Sequence, residues 1–139
     1  MILVDTSVIS EPLRKAPEAR VIEWIDTQPI ETLYLSAITV AELRFGVASL
    51  PVSKRRNTLH NNLETRVLPL FAGRVLAFDL AASQAYADLM TKARAAGVVI
   101  GSADGYIAAT AAANRMRVAT RDTAPFEAAG VPVVNPWGA

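Results

Sequence analysis

Hydrophobic positions along the chain fall into short blocks of two alternating kinds. "ILV" at 2–4 is an apolar run without alternation, the pattern of a strand covered on both faces. In "EARVIEWIDTQ" (18–28), Val21, Ile22, Trp24 and Ile25 recur at helical spacing, with Pro17 as a first-turn residue before them. "TLYLSAI" (32–38) predicts a second strand and "TVAELRFGVASL" (39–50) a helix. "KRRNTLHNNLETRVLPLF" (54–71) predicts another helix, polar at first and apolar toward its end. "RVLAFDL" (74–80) reads as a third strand, followed by a helix over 81–97 that Gly97 stops. "SADGYIAATAAAN" (102–114) is an alanine-rich helix with Asp104 near its start. "RVAT" (117–120) and "VPVVN" (131–135) are the last strands, flanking a short helical "APFEAAG".

Strands alternating with helices predict an α/β fold, a mainly parallel sheet between two helical layers. The 139 residues show no linker, repeat or low-complexity segment, so one domain, 1–139, is expected, with enough chain to bury a real core. In such a sheet ligands bind at the carboxyl ends of the strands. The polar residues at those ends are therefore the ones to weigh.

Composition narrows the classes. Hydrophobic residues make up 52% of the chain, which excludes disorder, and no apolar run reaches the length of a bilayer span. "MILVDTS" has no basic region and meets Asp5 at once, unlike a signal peptide. With no cysteine, disulfides and thiolate metal sites are excluded, and the cytoplasm is the default location. Fourteen basic and 13 acidic residues give a net charge of +1, so any nucleic-acid contact must be local or metal-mediated.

Four carboxylates stand at the predicted strand ends. Asp5 follows the first strand and Asp122 the fourth, while Glu42 and Asp104 lie in the first turns of their helices. Each has a local explanation: Asp5 as a cap for "TSVIS", Glu42 in a Thr39-x-x-Glu42 capping box, Asp104 as a dipole partner, Asp122 as a cap for 123–129. Together they call for another. Four like charges converging on one edge repel unless a cation sits between them. Mg²⁺ takes oxygen ligands and needs few carboxylates beside its waters, and such a site can activate water for in-line attack on phosphorus.

"MILVDTSVISEP", "LSAITVAELRFG", "SADGYIAATA" and "VATRDTAPFEAAGVPVVNPW" resemble, in order and with matching intervals over essentially the whole chain, the PIN-domain ribonuclease toxins of the VapC and FitB type. The resemblance implies a three-layer α/β/α fold with a five-stranded sheet, and a catalytic, metal-binding quartet at Asp5, Glu42, Asp104 and Asp122. It places hydroxyls that help hold water or metal at Thr6 and Thr120. Ser7 stands where many members have asparagine, and can still hydrogen-bond the first aspartate. The implied activity is a Mg²⁺- or Mn²⁺-dependent endoribonuclease whose RNA cleavage inhibits growth. The implied partner is a small DNA-binding antitoxin whose C-terminal segment covers the groove, so that operator DNA is reached only through it. A homodimer and a higher toxin–antitoxin assembly are expected, the apolar residues of "PEARVIEWI" and "RNTLHNNLETRVLPLF" exceeding what a small sheet needs.

Other residues carry weaker signals. Arg121 is placed to contact a phosphate or to pair with a carboxylate, and Lys54-Arg55-Arg56 reads as a solvated helix start. His60, the only histidine, lies in a polar stretch, which argues against histidine acid–base chemistry. Trp137 reads as a packing plug, and Ala108, Ala109, Ala111 and Ala112 as small residues that let a helix approach the sheet. Rival readings are a DNA-cutting or structure-specific nuclease, since RNA selectivity rests on 2′-OH contacts that sequence does not show, and a non-catalytic partner-binding module. A phosphoacceptor domain lacks its strand-end lysine, because Lys15, Lys54 and Lys92 all lie elsewhere. A dinucleotide fold lacks its glycine fingerprint.

Overall fold

The computed structural model describes residues 1–138. Five strands, β1 (Ile2–Val4), β2 (Leu33–Ser36), β3 (Val75–Leu76), β4 (Arg117–Ala119) and β5 (Val133–Val134), form one sheet in the order β3-β2-β1-β4-β5. Every pairing is parallel. The chain builds outward from central β1 through β2 to β3, then returns to the other side of β1 for β4 and β5. The order therefore reverses between β1 and β4, where open α/β sheets leave a crevice for ligands.

Strand periodicity sorts the core into two layers. Ile2, Val4, Leu33, Leu35 and Ala119 face one cluster with Val8, Val21, Leu43, Leu63 and Phe71. Leu3 and Val118 face the other, with Leu89, Ile107, Ala108, Ala109, Ala111 and Phe126. On the first side lie α1 (Thr6–Ile9), α2 (Ala19–Thr27), α3 (Ala37–Ala48), α4 (Lys54–Asn62) and α5 (Leu68–Leu70); on the second lie α6 (Leu80–Ala95), α7 (Ser102–Ala113) and α8 (Ala124–Ala128). This is the expected three-layer α/β/α arrangement. No helix among the described residues is long and apolar enough to cross a membrane.

Several boundaries differ from the sequence expectation, each for a local reason. Ala37 and Ile38 belong to α3, not to β2, because Ser36 caps that helix by accepting the Thr39 N–H at 3.0 Å. Thr39 is therefore the third helical residue rather than a cap, and Glu42 sits in the second turn, so the Thr39-x-x-Glu42 box does not form. The third strand stops at Leu76, since Asp79 caps α6 through the Ala82 N–H at 2.9 Å. Pro17 lies ahead of the cap residue Glu18, outside α2. The helix expected over 54–71 is interrupted by a wide π turn at Leu63–Val67, closed by the Leu68 N–H on the Leu63 carbonyl. It precedes Pro69, which has no N–H to give. Gly97 ends α6 as expected, at φ 74°. Its N–H reaches the Arg94 carbonyl and the Val98 N–H the Ala93 carbonyl, the paired closure for which glycine is suited.

α7 carries Ala108, Ala109 and Ala111 fully buried against the sheet, but Ala112 faces solvent. The apolar residues expected in surplus in the two early helices are largely absorbed: Trp24, Ile25, Leu59, Val67 and Leu68 pack against the first cluster.

Candidate active site

Asp5 is held between the two central strands. Its N–H donates to the Ala119 carbonyl at 2.9 Å, continuing the β1–β4 pairing past the end of β1. The next residues turn into α1, and the Asp5 carbonyl accepts from Val8 and Ile9. The carboxylate makes no capping bond, so it is not spent on its helix. Instead Oδ2 accepts from Ser7 Oγ at 2.8 Å and from Thr120 Oγ1 at 2.9 Å. Thr120 is fully buried just after β4, its own N–H bonded to the Val134 carbonyl. Ser7 Oγ also accepts the Arg121 N–H at 3.2 Å. A serine thus bridges the first acidic segment and the last, without an amide.

Glu42 reaches the same edge from the second turn of α3. Thr6 Oγ1 donates to Glu42 Oε1 at 2.7 Å and lies 3.1 Å from Thr39 Oγ1, itself fully buried. The two conspicuous hydroxyls, Thr6 and Thr120, therefore orient carboxylates. Asp104 lies in the first turn of α7, which has Gly101 at its cap position and no side-chain cap. Asp122 follows β4 and is exposed; α8 begins after Thr123, so Asp122 does not occupy the cap position predicted for it.

Asp104 reports the convergence. Its carboxyl is pushed above the ordinary value of 3.8, first by burial, then by the charges of Asp5, Asp122 and Glu42. Groups from β1, α3, α7 and the end of β4 thus share one field at the carboxyl edge, at the point where strand order reverses. Among the described residues no three acidic or histidine side chains close into a ready metal cage. The donor set is all oxygen, which suits a hard divalent cation that keeps several waters and takes only a few carboxylates.

Of the two roles its position suggested for Arg121, pairing with a carboxylate is not the one it takes within the chain. Among the described residues it pairs with no carboxylate; its Cζ lies 5.2 Å from the Trp137 ring centroid. Trp137 packs on the first core cluster, as a plug would. His60, Lys54 and Arg55 are exposed. Sequence reasoning missed Thr39 as a partner of Thr6, although its place one turn before Glu42 was the available signal. It also missed Glu11, buried to 3% exposure, which accepts the Glu18 N–H at 3.0 Å and pairs with Arg14 at 3.3 Å.

A three-layer α/β domain with an acidic cluster at the carboxyl edge of a 3-2-1-4-5 sheet is the class that fold and site define. The chain belongs to the PIN domain family, which it matches over residues 2–131. It is 64% identical to a protein of Sinorhizobium fredii named VapC ribonuclease Y4jK, over 99% of this chain and 98% of that one. It is 56% identical to Toxin FitB of Neisseria gonorrhoeae, over 99% of each. A solved structure of FitAB bound to an IR36 DNA fragment superposes with a TM-score of 0.97 at 55% identity, covering all of this chain and 97% of that one.

Proposed function

We propose that this chain is a metal-dependent endoribonuclease that acts, in the cytoplasm, as the toxin of a type II toxin–antitoxin module. The observation that carries the reading is the Asp104 carboxyl, half-buried in the field of three other carboxylates at the sheet's switch point. The names of the similar ribonuclease and toxin support the substrate and the role.

Asp5, Glu42, Asp104 and Asp122 would hold Mg²⁺ or Mn²⁺. The chemistry such an ion supplies is water activation and compensation of charge developing at phosphorus. The chain's own part is orientation. Ser7 and Thr120 both bond Asp5 Oδ2, fixing the carboxylate plane and leaving Oδ1 without a donor among the described residues. Thr6 does the same for Glu42 through Oε1. These hydroxyls keep two ligands pre-set, so little reorganisation is needed when substrate arrives.

The partner we infer is a small DNA-binding antitoxin. An apolar groove lined by Leu13, Leu43, Leu50 and Leu59 opens directly onto Thr6 and Glu42, so a partner segment lying there would cover the site. Contact with operator DNA would run through that partner, in keeping with a toxin net charge of only +1. Phe45, Leu70 and Leu80 are strongly exposed, which supports association of two copies and a larger complex with the antitoxin.

The deciding experiment incubates purified protein with total RNA, and with DNA in parallel, in Mg²⁺, Mn²⁺ or EDTA, and maps the ends produced. We expect cuts in RNA only, dependent on the cation and abolished by Asp5→Ala or Asp104→Ala. Full activity in EDTA, or activity surviving both substitutions, refutes the mechanism.

A further inference from the structure

An edge lined by four carboxylates repels the phosphates of the strand it is to cut. Some cation at the rim must hold that strand, and several of the chain's arginines are engaged within the protein. Arg14, Arg20 and Arg44 pair with Glu11, Glu18 and Glu64, while Arg74, at the amino end of the sheet, donates to the Leu33 carbonyl. Arg121 differs. It lies between Thr120, which bonds Asp5, and Asp122, and its N–H is tied to Ser7 at 3.2 Å. Its backbone is therefore part of the site.

Its side chain is exposed and has no carboxylate partner among the described residues, despite the acidic neighbours. Glu18 lies within its field but is taken by Arg20 at 3.0 Å. The guanidinium instead lies over Trp137, 5.2 Å from the ring centroid. Trp137 is fixed in turn by its N–H bond to Asn135 Oδ1 at 2.9 Å and by packing against the core. A guanidinium seated on an aromatic face keeps its N–H fork free, and that fork matches phosphate. Because the seat is rigid, little freedom is lost on binding.

Resting on the nuclease reading above, we propose that Arg121 is the substrate-binding cation of this site, gripping an RNA phosphate that flanks the one attacked, and that Trp137 is the positioning residue that holds it outward, away from the carboxylates. Neutralising the quartet would have required an ion pair, which is not formed. Trp137 itself is no base-stacking platform, since one face carries Arg121 and the ring packs against the core.

The test measures binding rather than cutting. A short fluorescein-labelled single-stranded RNA is titrated by anisotropy, in Mg²⁺ and over a range of KCl, against an Asp104→Asn protein that leaves it intact. Adding Arg121→Ala should weaken binding roughly tenfold, the loss of a charged hydrogen-bonded contact. It should also flatten the slope of log K against log salt by about 0.7, the share of one phosphate. Arg121→Lys should keep the slope with weaker binding. Trp137→Ala should weaken binding several-fold, and Trp137→Phe should restore it. A latch that only ties down the C-terminal segment would alter melting and leave the salt slope unchanged. An Arg121→Ala protein with the parent's affinity and slope overturns this proposal alone. A parent that binds no RNA overturns the nuclease reading, and this proposal with it.

Discussion

Asp104→Asn is the smallest change that separates a converging site from four independent helix starts. It removes one charge and keeps the shape. Because burial and the three neighbouring carboxylates raise the folded-state value above 3.8, the folded protein holds this proton more tightly than the unfolded chain. Stability contributed by the protonated form is complete below the unfolded value and is lost as pH rises through the folded one. In EDTA, wild type should therefore lose stability relative to Asp104→Asn as pH climbs from about 4, with the gap levelling off once Asp104 is ionised. Urea denaturation of both proteins across that range measures the gap; parallel curves would mean that neither burial nor the neighbouring carboxylates act on Asp104. Thr120→Val tests the orienting hydroxyl. It leaves Asp5 Oδ2 with Ser7 alone, and should cost about 1–3 kcal/mol of stability and lower kcat, with Thr120→Ser recovering both. The carboxylates stood out in the sequence because Asp5 and Asp122 follow strands and Asp104 opens a helix, whereas Glu42 lies one turn further into α3 than its sequence pattern suggested. What their hydroxyl neighbours do was not legible, since Thr6 and Glu42 are 36 residues apart and Thr120 and Asp5 are 115 apart. Glu11 was illegible for a different reason: its partners Arg14 and Glu18 are near in sequence, but the loop that brings them round it has no periodic pattern to announce its path.

At the level of elements, the types were readable and the ends were not. A strand of a buried parallel sheet and the first turn of the next helix are both apolar here, so "LSAI" carries no contrast at Ser36, and only the cap bond marks the change. β3 shrinks to two residues for the equivalent reason, Asp79 being a cap. The α6–α7 contact was unforeseen and has a tight point. A Cβ on Gly105 would stand 3.0 Å from Met90 Sδ and 3.1 Å from Tyr86 Cε2. The thioether can swing aside. The Tyr86 ring is held by stacking on Tyr106, with centroids 4.8 Å apart, and by the edge of Phe78. Gly105→Ala gains about 1 kcal/mol of helix propensity against overpacking of roughly 1–3 kcal/mol, so net destabilisation is expected in a thermal melt. Activity should fall further than stability accounts for, because Asp104 precedes this residue on the same turn and moves with α7. A variant that melts higher with full activity would show that the contact is slack.

The whole molecule is organised so that its site belongs to no single element. Asp5 extends β1, Glu42 rides on α3, Asp104 on α7 and Asp122 on the segment after β4, so the four carboxylates come from both helical layers and from the central strands between them. Unfolding any of these disperses the site, and a cation that needs all of them binds the native state alone. Linkage to a cation held as proposed would stabilise the fold by about 2.7 kcal/mol at a hundredfold excess over Kd. Wild type should accordingly melt several degrees higher as Mn²⁺ is titrated in, and return on addition of EDTA. Asp104→Asn should start higher than wild type without metal, for it carries less repulsion, yet gain less from Mn²⁺, so that the two melting curves cross during the titration. The crossing distinguishes a shared site from separate ones: independent caps would make the substitution nearly neutral, because asparagine caps about as well as aspartate, and the metal would move neither curve. Two superimposed, metal-insensitive melts would reduce the acidic edge to four unrelated carboxylates.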